Sequence, residues 1–151
     1  NDTFEVFLNN GEISYESFEL LSKLPHLTVL HIYSSGTADL SGIELLSGLK
    51  KLDLSASDYK NADRLAKLSE LEWLGFPAVP DIGFLADMDS VRVLEIQGAA
   101  MMPDDYFSPA YDMDSLEYLI VSCWDENMTG GQQADFKAHR PDVELCFYKI
   151  G

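Results

Sequence analysis

One hydrophobic frame recurs along the chain: an apolar residue, two others, an apolar residue, one other, an apolar residue. It reads Leu27-x-x-Leu30-x-Ile32, Leu49-x-x-Leu52-x-Leu54 and Leu71-x-x-Leu74-x-Phe76, at steps of 22 residues. It continues as Val91-x-x-Leu94-x-Ile96, Leu116-x-x-Leu119-x-Val121 and Val143-x-x-Cys146-x-Tyr148, at steps of 20, 25 and 27 residues. A weaker copy, Phe4-x-x-Phe7, stands 23 residues before the first. The alternating part of each frame fits a short strand with one buried face. Ahead of the frames, apolar residues recur at every third position: Leu21, Leu24, Leu27; Ile43, Leu46, Leu49; Leu65, Leu68, Leu71; Leu85, Met88, Val91; and Phe107, Ala110, Met113, Leu116. Spacing of three suits a short helix or 3₁₀ turn with one apolar stripe. Each unit therefore predicts a strand, a turn, a short helix and a return to the next strand.

No single unit can bury its own apolar face, but stacked neighbours bury it jointly. The predicted fold is α/β. It has a parallel sheet of six or seven short strands on a concave face and short helices or 3₁₀ turns on the convex one. One domain spans residues 1–151, divided into an N-terminal cap (1–26), repeats (27–129) and a C-terminal capping helix and strand (130–151). The cap helix is expected over 14–24, with Phe18, Leu21 and Leu24 on one side. At the other end Gly130-Gly131 starts a helix that runs to about His139. Pro141 stops it, and Val143 to Tyr148 forms a last strand.

These six frames, with segments such as Leu40-Ser41-Gly42-Ile43-Glu44-Leu45-Leu46-Ser47-Gly48-Leu49, resemble the leucine-rich-repeat family. The likeness is to its short-repeat, bacterial internalin-like type, and it covers roughly residues 21–148. The resemblance implies a right-handed solenoid that binds other macromolecules. The family usually places Asn three residues after the last apolar position. Here that place holds Ser35, Ser57, Val79, Ala99 and Trp124. The turns on that edge are expected to be irregular, and the register is hardest to assign over 77–107.

In such a stack the strand residues between the buried ones form rows on the concave face. The first row is Val29, Lys51, Trp73, Val93, Tyr118 and Leu145. The second is His31, Asp53, Gly75, Glu95, Ile120 and Phe147, and the third runs from Tyr33 through Ser55, Pro77, Gln97 and Ser122 to Lys149. Aromatic residues in these rows are what protein interfaces use. The predicted partner-binding residues are Val29, His31, Tyr33, Lys51, Asp53, Trp73, Glu95, Tyr118 and Ile120, with Trp124 on a neighbouring insertion. Met101, Met102 and Met128 lie on the two long insertions and are candidates for an adaptable contact surface beside the rows.

Ten basic against 26 acidic residues give a net charge of −16. Such a surface repels phosphate backbones and anionic lipids and attracts basic partners. No segment approaches the roughly 18 apolar residues a membrane helix needs. The expected partner is therefore a protein, with a basic one matching the charge; no nucleic acid, no membrane insertion and a monomeric chain are expected. An acidic inhibitor or immunity-type protein, neutralising a basic partner such as a nuclease, is the alternative function.

Cys123 and Cys146 are too few for a disulfide framework. With Cys146 in the core and Cys123 just past a strand end, both are expected as free thiols. That favours a reducing, cytoplasmic setting, with a secreted one open if a leader has been removed. Nothing points to catalysis, a cofactor or a metal. His26, His31 and His139 have no ligand spacing, and there is no CxxC and no Gly-x-Ser-x-Gly elbow. Asp104-Asp105 and Asp112-x-Asp114 lack the Gly and distal Glu of a calcium loop. His31 and Asp53 are adjacent in one row and are expected to form a solvated ion pair.

Overall fold

The structure is a computed structural model that describes residues 4–9, 13–99, 102–124 and 130–150. It is an α/β fold built on one seven-stranded parallel sheet. The strands are β1 (Phe4–Asn9), β2 (Leu27–Tyr33), β4 (Lys51–Ser55), β6 (Trp73–Pro77), β7 (Val93–Ala99), β8 (Tyr118–Cys123) and β9 (Glu144–Lys149), in that spatial order. Two further strands, β3 (Thr37–Asp39) and β5 (Asp58–Lys60), pair with each other as a separate parallel ribbon. Helices are few: α1 (Tyr15–Leu21), α2 (Gly130–His139) and 3₁₀ turns at Ile43–Leu45, Ala62–Lys67, Gly83–Asp87 and Ser108–Ala110.

The every-third-residue pattern becomes a chain of 3₁₀-type bonds. Leu46 N–H donates to the Ile43 carbonyl, Leu68 to Leu65, and Met88 to Leu85, each at 3.0 Å. Leu49 and Leu71 repeat the bond one step on, at 2.9 and 3.1 Å. Each crossover therefore delivers its apolar residues to one side, over the sheet. The strands then begin on a second ladder: Lys50 N–H bonds Thr28, Glu72 bonds Lys50, Arg92 bonds Glu72 and Glu117 bonds Arg92, all at 2.9 Å.

The period-two alternation becomes register. Leu30, Leu52, Leu74, Leu94 and Leu119 stand opposite one another across five strands, and all five are fully buried. Ile32, Leu54, Phe76, Ile96 and Val121 form a second buried set. Helix α1 covers one end through Phe18 and Leu21, beside Ile13; Leu24 lies past its end and is exposed, against expectation. Gly42 holds φ at +94°, and a Cβ there would meet the Tyr15 ring at 2.8 Å, so only glycine lets α1 sit this close. Helix α2 covers the other end through Phe136, edge-on to Phe107 at 6.3 Å.

Both terminal strands depart from the predicted frame by one residue. In β1 a register shift between Phe4 and Glu5 puts Val6 opposite Leu30 and Leu8 opposite Ile32. Phe4 and Phe7, the expected inward pair, are exposed. In β9 Leu145 pairs with Leu119 and Phe147 with Val121, while Cys146 and Tyr148 are exposed. A one-residue slip exchanges the two faces of a strand. Leu145 and Phe147 bury more apolar area than Cys146 and Tyr148, and Phe107 offers Phe147 an edge-on partner at 6.1 Å. Cys123 is the last residue of β8 rather than beyond it; it is buried, its thiol donating to the Tyr148 carbonyl at 3.6 Å.

The expected irregularity of the strand-end edge is found between Ile96 and Ala99. Gly98 has φ +70° within a register shift between Ile96 and Ala99, and Val79 and Ala99 are buried where an amide was the family pattern.

Three tyrosines are built into this framework. Tyr106 donates to the Val79 carbonyl at 2.7 Å, and burial pushes its hydroxyl up to about 12. Burial likewise raises Tyr59, and raises Tyr111 together with the Asp135 carboxylate its hydroxyl bonds. An unfolded tyrosine ionises near pH ~10. The folded form keeps its protons longer, so stability is full below about pH 9 and falls as pH rises from about 10 towards 12. The urea midpoint should hold at about pH 8 and drop at about pH 11, with tyrosinate absorbance of these three appearing only on unfolding. Equal midpoints at both pH values would contradict this.

Candidate binding face of the sheet

One face of the sheet is packed against the 3₁₀ turns; the other is open. The open face carries side chains in rows set by strand register. Glu5, Val29, Lys51, Trp73, Val93, Tyr118 and Glu144 are successive partners in the first row. Phe7, His31, Asp53, Gly75, Glu95, Ile120 and Cys146 are successive partners in the second. Of the ten predicted residues, nine stand together on this face. Trp124 does not: it follows the end of β8, 62% exposed, with its indole nitrogen over Gly98. Leu145, Phe147 and Lys149 leave the rows through the one-residue slip of β9, and Glu144, Cys146 and Tyr148 take their places. Met101 and Met128 lie outside the described residues; Met102 packs against the core.

The first third of the face is a polar cluster around His31, which is only 9% exposed. Its Nε2 meets Glu5 Oε1 at 2.7 Å and its Nδ1 meets Asp53 Oδ2 at 3.3 Å. The Tyr33 hydroxyl donates to the same Asp53 oxygen at 3.4 Å, and burial, with the Asp53 charge, raises that hydroxyl above its ordinary range. The Phe7 ring stacks on the imidazole at 4.4 Å and 5°. A neutral imidazole donates to one of these carboxylates, and an imidazolium donates to both. The expected solvated His31–Asp53 pair is instead a partly buried bridge, open to solvent on its Glu5 side, that ties β1 to β2 and β4. Glu5 and Phe7, its third and fourth members, were hidden in the sequence by the β1 shift.

The centre of the face is Trp73. Its indole lies over Gly75, where an added Cβ would clash with the six-membered ring. Gly75 is thus a seat for the indole, and Lys51 Nζ stands 4.3 Å from the ring centroid. Beyond it Tyr118 is 43% exposed and Ile120 half-buried, with Glu95 and Gln97 in contact at 3.5 Å. A groove of about 580 Å³ opens beside Tyr118 between Arg92, Glu117, Asp142 and Glu144. Arg92 and Glu117 line it as an exposed two-pronged pair at 2.8 and 2.9 Å, which holds the Glu117 carboxyl below its usual range.

Four carboxylates, Glu5, Asp53, Glu95 and Glu144, thus share the face with aromatic side chains. Among the described residues no group of three or more His, Cys, Asp or Glu side chains is arranged to hold a metal, and no helix is long and apolar enough to cross a membrane. Comparison with protein-family models and with curated proteins finds no match, so the reading of this face rests on its own geometry.

Proposed function

We propose that the chain is a leucine-rich-repeat-type solenoid that binds a protein partner through the open face of its sheet. The observation that carries this is the row Lys51, Trp73, Val93, Tyr118, a stripe in which half-buried Trp73 and exposed Tyr118 flank Val93 in strand register on the open face. Aromatic residues near the centre of a face contribute most of the energy of typical interfaces. Both nitrogens of His31 are engaged by carboxylates, which tie the imidazole into the face. We therefore read it as a binding surface and not an active site.

A specific observation favours a narrower reading, an acidic inhibitor of a basic protein. The carboxylates Glu5, Asp53, Glu95 and Glu144 ring the stripe on a chain of net charge −16. The test is a quantitative pulldown from the native source with the chain and with its Trp73→Ala/Tyr118→Ala double variant. Loss of two central aromatic anchors should weaken a bound partner by about 30-fold or more. An unchanged partner profile, with melting temperature preserved, would remove this face as the site. If the partner is basic, affinity should also fall steeply between about 50 mM and about 500 mM salt.

A further inference from the structure

The β3–β5 ribbon stops after two strands, and the stop has a sequence cause. The next unit is shortened: the step from Leu71 to Val91 is 20 residues where the two before it are 22. Ala78-Val79-Pro80 falls where a third strand would lie, and Pro80 has no N–H to give to a ladder. The Tyr59 N–H is met by the neighbouring Asp58 carboxylate at 2.8 Å. A groove of about 800 Å³ opens between β5 and the turn that replaces the missing strand. That volume is in the range of sites that enclose a ligand.

The floor of the groove is apolar. Tyr59 and Phe84 rest on the buried Phe76 ring at 6.5 and 5.5 Å, and Ala62 and Pro80 complete it. The rim is of one sign. Asp58, Asp63, Asp81 and Asp87 line it, and no Lys, Arg or His does. Asp63 has Arg64 at 3.9 Å; among the described residues Asp58, Asp81 and Asp87 have no ion pair. The turn is firmly held, by Tyr106 on the Val79 carbonyl and by Asp81 on the Gly83 N–H, at 2.7 and 2.8 Å.

We infer that this groove is a second docking site, which takes an extended, Lys- or Arg-bearing segment of a protein partner laid along β5. An apolar side chain of the segment fills the space between Tyr59 and Phe84, and its basic neighbours meet the rim aspartates. The charge of the rim selects the sign of the segment, and an unextended strand edge beside an apolar floor selects an extended backbone. The site lies off the open sheet face and is independent of the reading proposed for it.

The experiment uses a fluorescein-labelled decapeptide alternating lysine and leucine, and a control with glutamate for lysine. Anisotropy should show saturable binding of the lysine peptide and none of the control. Asp58→Asn/Asp87→Asn should weaken it about five- to tenfold, since both carboxylates are exposed and Asn keeps the oxygen that receives the Tyr59 N–H. Amide shifts on titration should centre on Tyr59, Ala62 and Phe84. Trp73→Ala/Tyr118→Ala should bind as the parent chain does, which separates this result from the fate of the open face. The inference is overturned by equal binding to the Asn variant, by equal binding of the glutamate peptide, by no binding, or by shifts centred on Glu95 and Tyr118.

Discussion

Arg140→Leu should lower the stability of the chain by about 3–4 kcal/mol, a fall in melting temperature of about 10 °C. The Arg140 side chain is 12% exposed and sits between α2 and β9. Its guanidinium donates to the carbonyls of Tyr111 at 3.1 Å, Met113 at 2.9 Å and Leu116 at 3.3 Å. These carbonyls belong to the turn that leads into β8, where the Met113 carbonyl also accepts the Leu116 N–H at 3.0 Å. Asp142 holds the fork from the other side at 2.9 Å and raises the guanidinium further into its charged form. Leucine fills the space but takes the guanidinium donor from the Tyr111 and Leu116 carbonyls, and each such loss costs about 1–3 kcal/mol, with overlap between them. Arg140→Lys should recover less than half of the loss, because an ammonium cannot present a planar fork. Thermal melts of the three proteins decide the matter; a drop within about 2 °C for the leucine variant would remove Arg140 from this role.

Leu74→Ala should cost about 3–5 kcal/mol. Leu74 lies on β6, the middle strand of the seven, fully buried between Leu52 and Leu94. Each neighbour is fixed by its own strand, so the cavity cannot close, and the cavity adds to the lost transfer energy. Leu145→Ala, on the half-buried terminal strand β9, should cost only about 1–2 kcal/mol. Urea titration of both variants measures the contrast. Equal losses would mean that the buried rows do not share one core with a centre and ends.

The internal units were legible because their apolar residues obey two periods at once. Leu30, Leu52, Leu74, Leu94 and Leu119 repeat closely enough to predict their alignment, and the triplets ending in Leu49, Leu71 and Val91 mark the turns between strands. The open-face residues follow from the same alternation, which is why nine of the ten predicted positions come together. The terminal strands were not legible. Val143-x-x-Cys146-x-Tyr148 satisfies the frame as a string, but Phe107 and Phe136 decide that Phe147 turns inward instead. Glu5 reaches His31 through a shift in β1 that no local pattern marks. Thr37-Ala38-Asp39 and Asp58-Tyr59-Lys60 are too short and too polar to show a strand period, so the ribbon they form was invisible.

Local alternation and a regular step were therefore enough to specify strand order, register and the exposed rows in the interior of the sheet, since each strand there has a like neighbour on both sides. The ends and edges were left to the three-dimensional packing. A terminal strand has a neighbour on one side only, and the cap that lies over it selects which face is buried. The bridge at His31, the seat of Trp73 on Gly75 and the groove beside β5 all depend on contacts between residues far apart in the chain, and no pattern within one unit encodes them.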